Sequence, residues 1–346
     1  MAYRFTQMLL ALVFTFTANA NEFYPENLIQ LDSYFTHHVL VAEKLTHKLY
    51  LFENKDGLPS LVKTYQMATG KKSGDKVFQG DHRTPEGVYQ FIDFLTHEDL
   101  LKRHGKQGEI YGVGAFVMNY PNPMDARDGK TGGGIWLHST NDETRIDKGL
   151  DSRGCIVSAN KDLIDISKYI ELDRTKVVVV HELNWLSKET YLSRKKEILD
   201  GLETWRASWE KEDIKGYIEA YHSKEFRDDR HGGLENFRTY KKNVFWGEGT
   251  PEVGVSNVSI LAGADYVLIS FLQDYKSTTI QDIGVKKLYL KRNEWHQWKI
   301  VYEGWTKQGI SEEADTRVAF KPSLRFFKSG QPDQIMTVPI NQKENN

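Results

Sequence analysis

The chain has 346 residues, 39% hydrophobic and 27% charged, with 27 Gly and 9 Pro, a balance that excludes a disordered tail and a collagen-like chain. At roughly 100–200 residues per domain, this length predicts two domains, each with its own core. Lys and Arg number 46 against 48 Asp and Glu, so no global basic field exists to hold nucleic acid, and the single cysteine excludes an internal disulfide and any multi-cysteine metal site.

Residues 1–20 read as a cleaved export signal. Arg4 precedes the apolar run 8–16, and Ala18 and Ala20 supply the small residues at −3 and −1 of a cleavage site. The run is shorter than the ~20 residues a membrane-spanning helix needs. Losing Arg4 leaves the mature chain at −3, a soluble exported protein. Export sharpens the question of Cys155. In an oxidising space an unpaired cysteine is either a small buried apolar residue or a reactive thiol.

An N-terminal segment, 21–37, follows. Residues 39–53 alternate apolar and polar in two runs separated by 44–48, as in two half-buried strands. Gly57 breaks the pattern and 61–67 resume it. Residues 70–80 are a loop rich in Lys, Gly and Asp, and Thr84-Pro85-Glu86-Gly87 is a turn. Further strands are predicted at 88–92, 116–119, 135–138 and 177–181, with helices at 96–103 and 160–169 and a glycine-rich loop at 105–114. His37 and His38 are neighbours, and neighbours on a strand face opposite ways, so no shared metal is expected.

The pattern then turns helical. Leu202, Trp205 and Trp209, then Ile214, Tyr217, Ile218 and Tyr221, recur at helical spacing between 185 and 226. Strands return at 253–261, 266–274, 283–292 and 295–305, with a turn near Asn293. Helices followed by a strand meander predict an α+β cone, a curved sheet wrapped on helices. Its aromatics, Trp205, Trp209, Tyr217, Tyr221, Trp298 and Trp305, read as core. Beyond Gly309 the pattern fades, and 331–346 read as a flexible tail. The predicted organisation is a signal (1–20), an N-terminal segment (21–37), a mostly-β domain (38–182), a helical linker (183–204), an α+β domain (205–308) and a tail (309–346).

The chemistry concentrates in Gly132-Gly133-Gly134-Ile135-Trp136-Leu137-His138-Ser139-Thr140 and Asp151-Ser152-Arg153-Gly154-Cys155-Ile156-Val157-Ser158. A histidine at a strand end, 17 residues before the only cysteine, is the base a thiol nucleophile requires. Gly154 lets the backbone approach a substrate, and the N–H groups of Gly154 and Cys155 are candidate oxyanion donors.

The combination of His138 with Ser152-Arg153-Gly154-Cys155 resembles the catalytic signature of the L,D-transpeptidase (YkuD-type) domains of bacterial cell-wall enzymes. The segment Gly80-Asp81-x-x-Thr84-Pro85-x-Gly87-x-Tyr89 and Asn119-Tyr120-Pro121-Asn122-Pro123 resemble that domain too, so the likeness covers about 38–182. It implies a β-sandwich-like fold and acyl transfer from peptidoglycan stem peptides in the periplasm, open to acylation by carbapenems. Cys155 is then the nucleophile, His138 the general base and acid, and Ser139 the residue whose carbonyl orients His138. Ser152, Arg153 and Tyr120 would line the substrate groove, and no cofactor or metal is implied. Two positions depart from the family pattern: Arg153 stands where His is common, and Val157 where Asn or Arg is common. Both leave the acceptor open.

The second half resembles a nuclear-transport-factor-two-like cone. Such a cone after an L,D-transpeptidase domain resembles the helical-cell-shape L,D-carboxypeptidases, which pass the acyl group to water and trim tetrapeptides to tripeptides. The acceptor is therefore an amine or water. The cone offers a place for a protein partner or small ligand, and the organisation is compatible with a homodimer. The reading from another class is a non-catalytic wall-binding or scaffold protein.

Overall fold

The computed structural model describes residues 22–248, 251–278, 280–307 and 320–327. Residues 1–20, expected to be an export signal, and the tail residues 331–346 lie outside the described residues.

Eight strands form the first sheet, in the order Ile156–Val157, Trp136–His138, Gly114–Met118, Gly87–Thr96, Lys176–Val180, His38–Glu43, Lys48–Lys55 and Leu58–Gln66. His38–Glu43 and Lys176–Val180 pair in parallel and are buried at every position; for the first of them this corrects the expectation of a half-buried strand, while Lys48–Lys55 is half-buried as expected. The cause is a second packing face. Leu40, Ala42, Val177 and Val179 pack with Leu163 and Ile166 of the helix Asn160–Ser167, while Val39, Val41, Val178 and Val180 belong to a different core. A sheet covered on both sides needs apolar residues at successive positions.

The second sheet runs Trp298–Lys307, Gln281–Arg292, Val267–Lys276, Glu252–Ala262 and Leu28–Gln30. Its first four strands are the antiparallel meander expected from the sequence. The fifth comes from the N-terminal segment, with Gln30 paired to Ile260 and Leu28 to Leu261. One face, through Ile260, Ile269, Phe271 and Leu288, packs on Trp205, Trp209, Tyr217 and Phe237 of the helices Lys188–Glu210, Ile214–Glu219 and Leu234–Glu248. The other, through Leu261, Leu268, Tyr289 and Val301, meets Val39, Val41, Val88 and Val178 of the first sheet. At about 1.5–3 kcal/mol per buried side chain, this apolar contact joins the domains far more firmly than a linker would.

Two other expectations change. Of the linker proposed at 183–204, Trp185–Ser187 forms a short strand and the rest from Lys188 belongs to the continuous helix Lys188–Glu210, capped by the Ser187 side chain, because Ile198, Leu202, Trp205 and Trp209 carry one apolar stripe through the proposed boundary. Part of the segment 309–346 is docked: Phe327 is buried in the first domain's core and Phe326 packs beside it. Phe320 stacks on His37 with ring centroids 3.9 Å apart, and Arg325 pairs with Glu171 at 2.5 Å. His37 and His38 do not face apart. His37 precedes the strand, so alternation does not govern it, and the two Nδ1 atoms lie 3.0 Å from each other.

Candidate active site

The strand Ile156–Val157 lies parallel to Trp136–His138, with Ile156 opposite Leu137 and Val157 opposite His138. That register brings Cys155 to the start of the histidine's own strand. The Cys155 thiol is half-buried and donates to the Gly134 carbonyl at 3.5 Å. Burial pushes it up to about 11, against the opposing pull of the Trp136 N–H and the cations Arg145 and Lys76. His138 is buried, and its Nδ1 donates to the Ser139 carbonyl at 2.5 Å, which leaves Nε2 as the acceptor. Burial pulls this imidazole down to about 4, opposed by the Ser139 carbonyl. Both groups are therefore neutral near pH 7. A neutral imidazole and a neutral thiol can exchange a proton only as the thiol attacks, without a standing ion pair.

The loop before Cys155 is braced from within. Ser152 is buried, and its Oγ donates to the Cys155 carbonyl at 2.6 Å and accepts the Gly154 N–H at 3.0 Å. Gly154 has φ 131°, and a Cβ there would stand 2.8 Å from the Arg83 carbonyl, so a side chain would force the backbone to move. Two expectations are corrected here. Ser152 is a loop brace and does not line a groove, and the Gly154 N–H is already engaged by it. Of the two N–H groups considered for an oxyanion, that of Cys155 is left.

Arg153 is exposed beside Cys155. Tyr120 is buried, its ring 6.1 Å from that of Tyr89 and its hydroxyl donating to the Thr131 carbonyl at 3.3 Å. It is a core residue that braces the run toward Gly134, which corrects its expected place in the groove. Asp81 organises the neighbouring loop. It accepts the N–H groups of Val77, Phe78 and Arg83 and pairs with buried Lys76 at 2.8 Å. Phe78 is thereby held exposed at the loop's tip.

Sequence reasoning missed Tyr111 and Arg145. The Tyr111 ring meets His138 edge-on with centroids 4.9 Å apart, and its phenol is raised, chiefly by burial and also by the thiolate that Cys155 becomes only at high pH. The available signal was the glycine run around it. Gly112 has φ 60°, and a Cβ there would stand 2.4 Å from Ser139 Oγ, so this backbone has to pass close to the histidine's support. Arg145 binds Asp151 at 2.5 Å and the Ile110 carbonyl at 3.1 Å, and its charge acts on both His138 and Cys155. No spacing rule announces it.

Among the described residues, no group of three or more His, Cys, Asp or Glu is arranged to hold a metal ion. A separate cavity of about 500 Å³ opens in the second domain, beside Trp209, Tyr240, Lys286 and Glu303. Lys286 and Glu303 form a buried pair at 2.8 Å, and the Tyr221 hydroxyl donates to Glu303 at 2.7 Å.

Residues 37–179 match the L,D-transpeptidase catalytic domain family, and residues 197–304 match the Cds6 C-terminal NTF2-like domain. A search of the curated proteins found no match. Among solved structures, that of Bdellovibrio bacteriovorus Bd1075 is similar with a TM-score of 0.73 and 29% identity, covering 84% of this chain and 100% of that one. The helical cell shape determining protein Pgp2 from Campylobacter jejuni is similar with a TM-score of 0.64 and 27% identity, covering 80% of this chain and 95% of that one. Its K307A mutant gives the same score and identity over 81% and 94%. The chain therefore carries an L,D-transpeptidase catalytic domain followed by a C-terminal NTF2-like domain.

Proposed function

We propose that this protein is a periplasmic L,D-carboxypeptidase that trims the stem tetrapeptides of peptidoglycan to tripeptides through a Cys155 thioester. The observation that carries the reading is the register that sets Cys155, its thiol held on the Gly134 carbonyl, at the start of a strand parallel to that of His138, whose Nδ1 is fixed by the Ser139 carbonyl. As Sγ bonds to the carbonyl carbon of the L-centre third residue, His138 Nε2 takes the thiol proton. The Cys155 N–H faces the developing oxyanion. Collapse breaks the bond to the terminal D-alanine, whose amine receives that proton. A water molecule then gives a proton to Nε2 and its oxygen to the thioester carbon, and the proton returns to sulfur as the tripeptide leaves.

Similarity to Pgp2 across both domains supports water as the acceptor. Residues 1–20 support export. An amine acceptor, giving a 3–3 cross-link or attachment to a protein, is the second reading, and open space above Gly133 and Gly134 favours it by leaving room for a second chain. The cavity beside Lys286 and Glu303 is where a small ligand of the second domain would sit. Purified protein incubated with disaccharide tetrapeptide should yield tripeptide and free D-alanine. A 3–3 dimer in place of tripeptide would assign the amine acceptor, and neither product would favour a non-catalytic wall-binding protein.

A further inference from the structure

Between Met118 and Gly134 the chain leaves the first sheet, forms the helix Pro123–Arg127 and returns as the glycine run whose last carbonyl accepts the Cys155 thiol. Gly132 and Gly134 have φ 98° and 67°, and at Gly133 and Gly134 a Cβ would meet nothing within 4 Å. With no side chains of its own to pack, the run keeps one conformation only if its approach is held. A five-residue helix supplies little stability by itself.

The second domain holds that approach at two points. Asn122 is buried; its Oδ1 caps the helix, accepting the N–H groups of Met124 and Asp125, while its Nδ2 donates to the Tyr266 hydroxyl at 2.9 Å. The same hydroxyl accepts the Val88 N–H at 2.8 Å. At the helix's other end Arg127 donates to the Val301 carbonyl at 2.8 Å and to the Glu225 carbonyl. From there Lys130 pairs with Asp125 at 2.9 Å and Asp75 at 2.5 Å, and the Thr131 N–H bonds the Val77 carbonyl at 3.0 Å. A connected series of bonds thus runs from Tyr266 and Val301 to the threshold of the glycine run.

We infer that Tyr266 and Arg127 are positioning residues, through which the NTF2-like domain fixes the 119–134 excursion and so the Gly134 carbonyl that orients the Cys155 thiol. The inference rests on the reading of Cys155 as the nucleophile. Misplacing a reacting group by about 1 Å costs on the order of 100-fold in rate, so a partial loosening of this series should be visible in kcat.

The test uses the full-length protein. Tyr266→Phe removes the shared acceptor, Arg127→Met removes both tethers to the second domain, and Arg127→Lys keeps one donor. Leu268→Ala opens the same interface outside the bonded series and controls for general loosening. Steady-state trimming of disaccharide tetrapeptide is measured beside the pH profile of Cys155 alkylation by iodoacetamide. Tyr266→Phe and Arg127→Met should lower kcat about tenfold with KM within about twofold, and alter the alkylation profile. Arg127→Lys should recover most of the loss, and Leu268→Ala should keep kcat within about twofold. Wild-type kcat and alkylation in both Tyr266→Phe and Arg127→Met, or an equal kcat loss in Leu268→Ala, would overturn the inference. Turnover that survives Cys155→Ala would instead overturn the nucleophile assignment, and the alkylation comparison, which needs no substrate, keeps the two failures apart.

Discussion

At the scale of single residues, burial decides the protonation states that the chemistry uses. His138 and His38 are each pulled down to about 4, in both cases chiefly by burial. An imidazole in the unfolded chain titrates near 6.5, so between these values the unfolded state binds protons that the folded state refuses. The stability they contribute is complete above about pH 6.5 and is lost as pH falls toward 4. At pH 5 each imidazole should cost about 2 kcal/mol relative to pH 7, read as a lower urea midpoint. An unchanged midpoint between pH 7 and 5 would contradict the assignment. Since Nε2 must be unprotonated to act as base, the acid limb of kcat/KM should likewise lie well below 6.5. Cys155 and His138 stood out in the sequence because the single cysteine and a strand-end histidine occur together in a specific motif. The parts of Ser152, Gly154 and Tyr120 did not. Which N–H meets which oxygen depends on a φ of 131° at Gly154 and on the packing of Tyr120 against Tyr89, and neither is written in residue type.

At the scale of elements, the loop between Gly70 and Gly87 shows how a short polar stretch becomes rigid. Asp81 gathers three N–H groups and the buried Lys76 ammonium, and these bonds hold its carboxyl well below the usual carboxylate range despite burial. Asp81→Asn would leave Lys76 as an uncompensated buried cation. The expected cost is about 3–5 kcal/mol in urea unfolding, and a loss under about 1 kcal/mol would show that the pair is not what holds the loop. Long strands and the helix Asn160–Ser167 announced themselves by periodicity. Three-residue strands such as Leu28–Gln30 and the five-residue helix Pro123–Arg127 hold fewer than two repeats of their periods, about 2 and 3.6 residues, too few to show a pattern, so only their tertiary bonds reveal them.

At the scale of the whole molecule, two sheets stand face to face, with helices covering the far side of each. The sequence pointed to two domains and to their order, since the character of the chain changes near residue 185. It did not show that Val39, Val41 and Val178 would pack on Leu268 and Val301, or that residues 320–327 would return to the first domain. Alternation tells which residues are buried but not against what. The resulting molecule is one in which the Cys155 loop, the glycine run and the second domain are mechanically continuous. In the proposed chemistry one thiol, that of Cys155, carries the acyl group. Intact-protein mass spectrometry after exposure to a carbapenem tests this most directly. A single adduct of the inhibitor's mass on Cys155, lost in Cys155→Ala together with all tetrapeptide trimming, is the predicted result. Trimming that persists in Cys155→Ala, or an adduct at another residue, would contradict it.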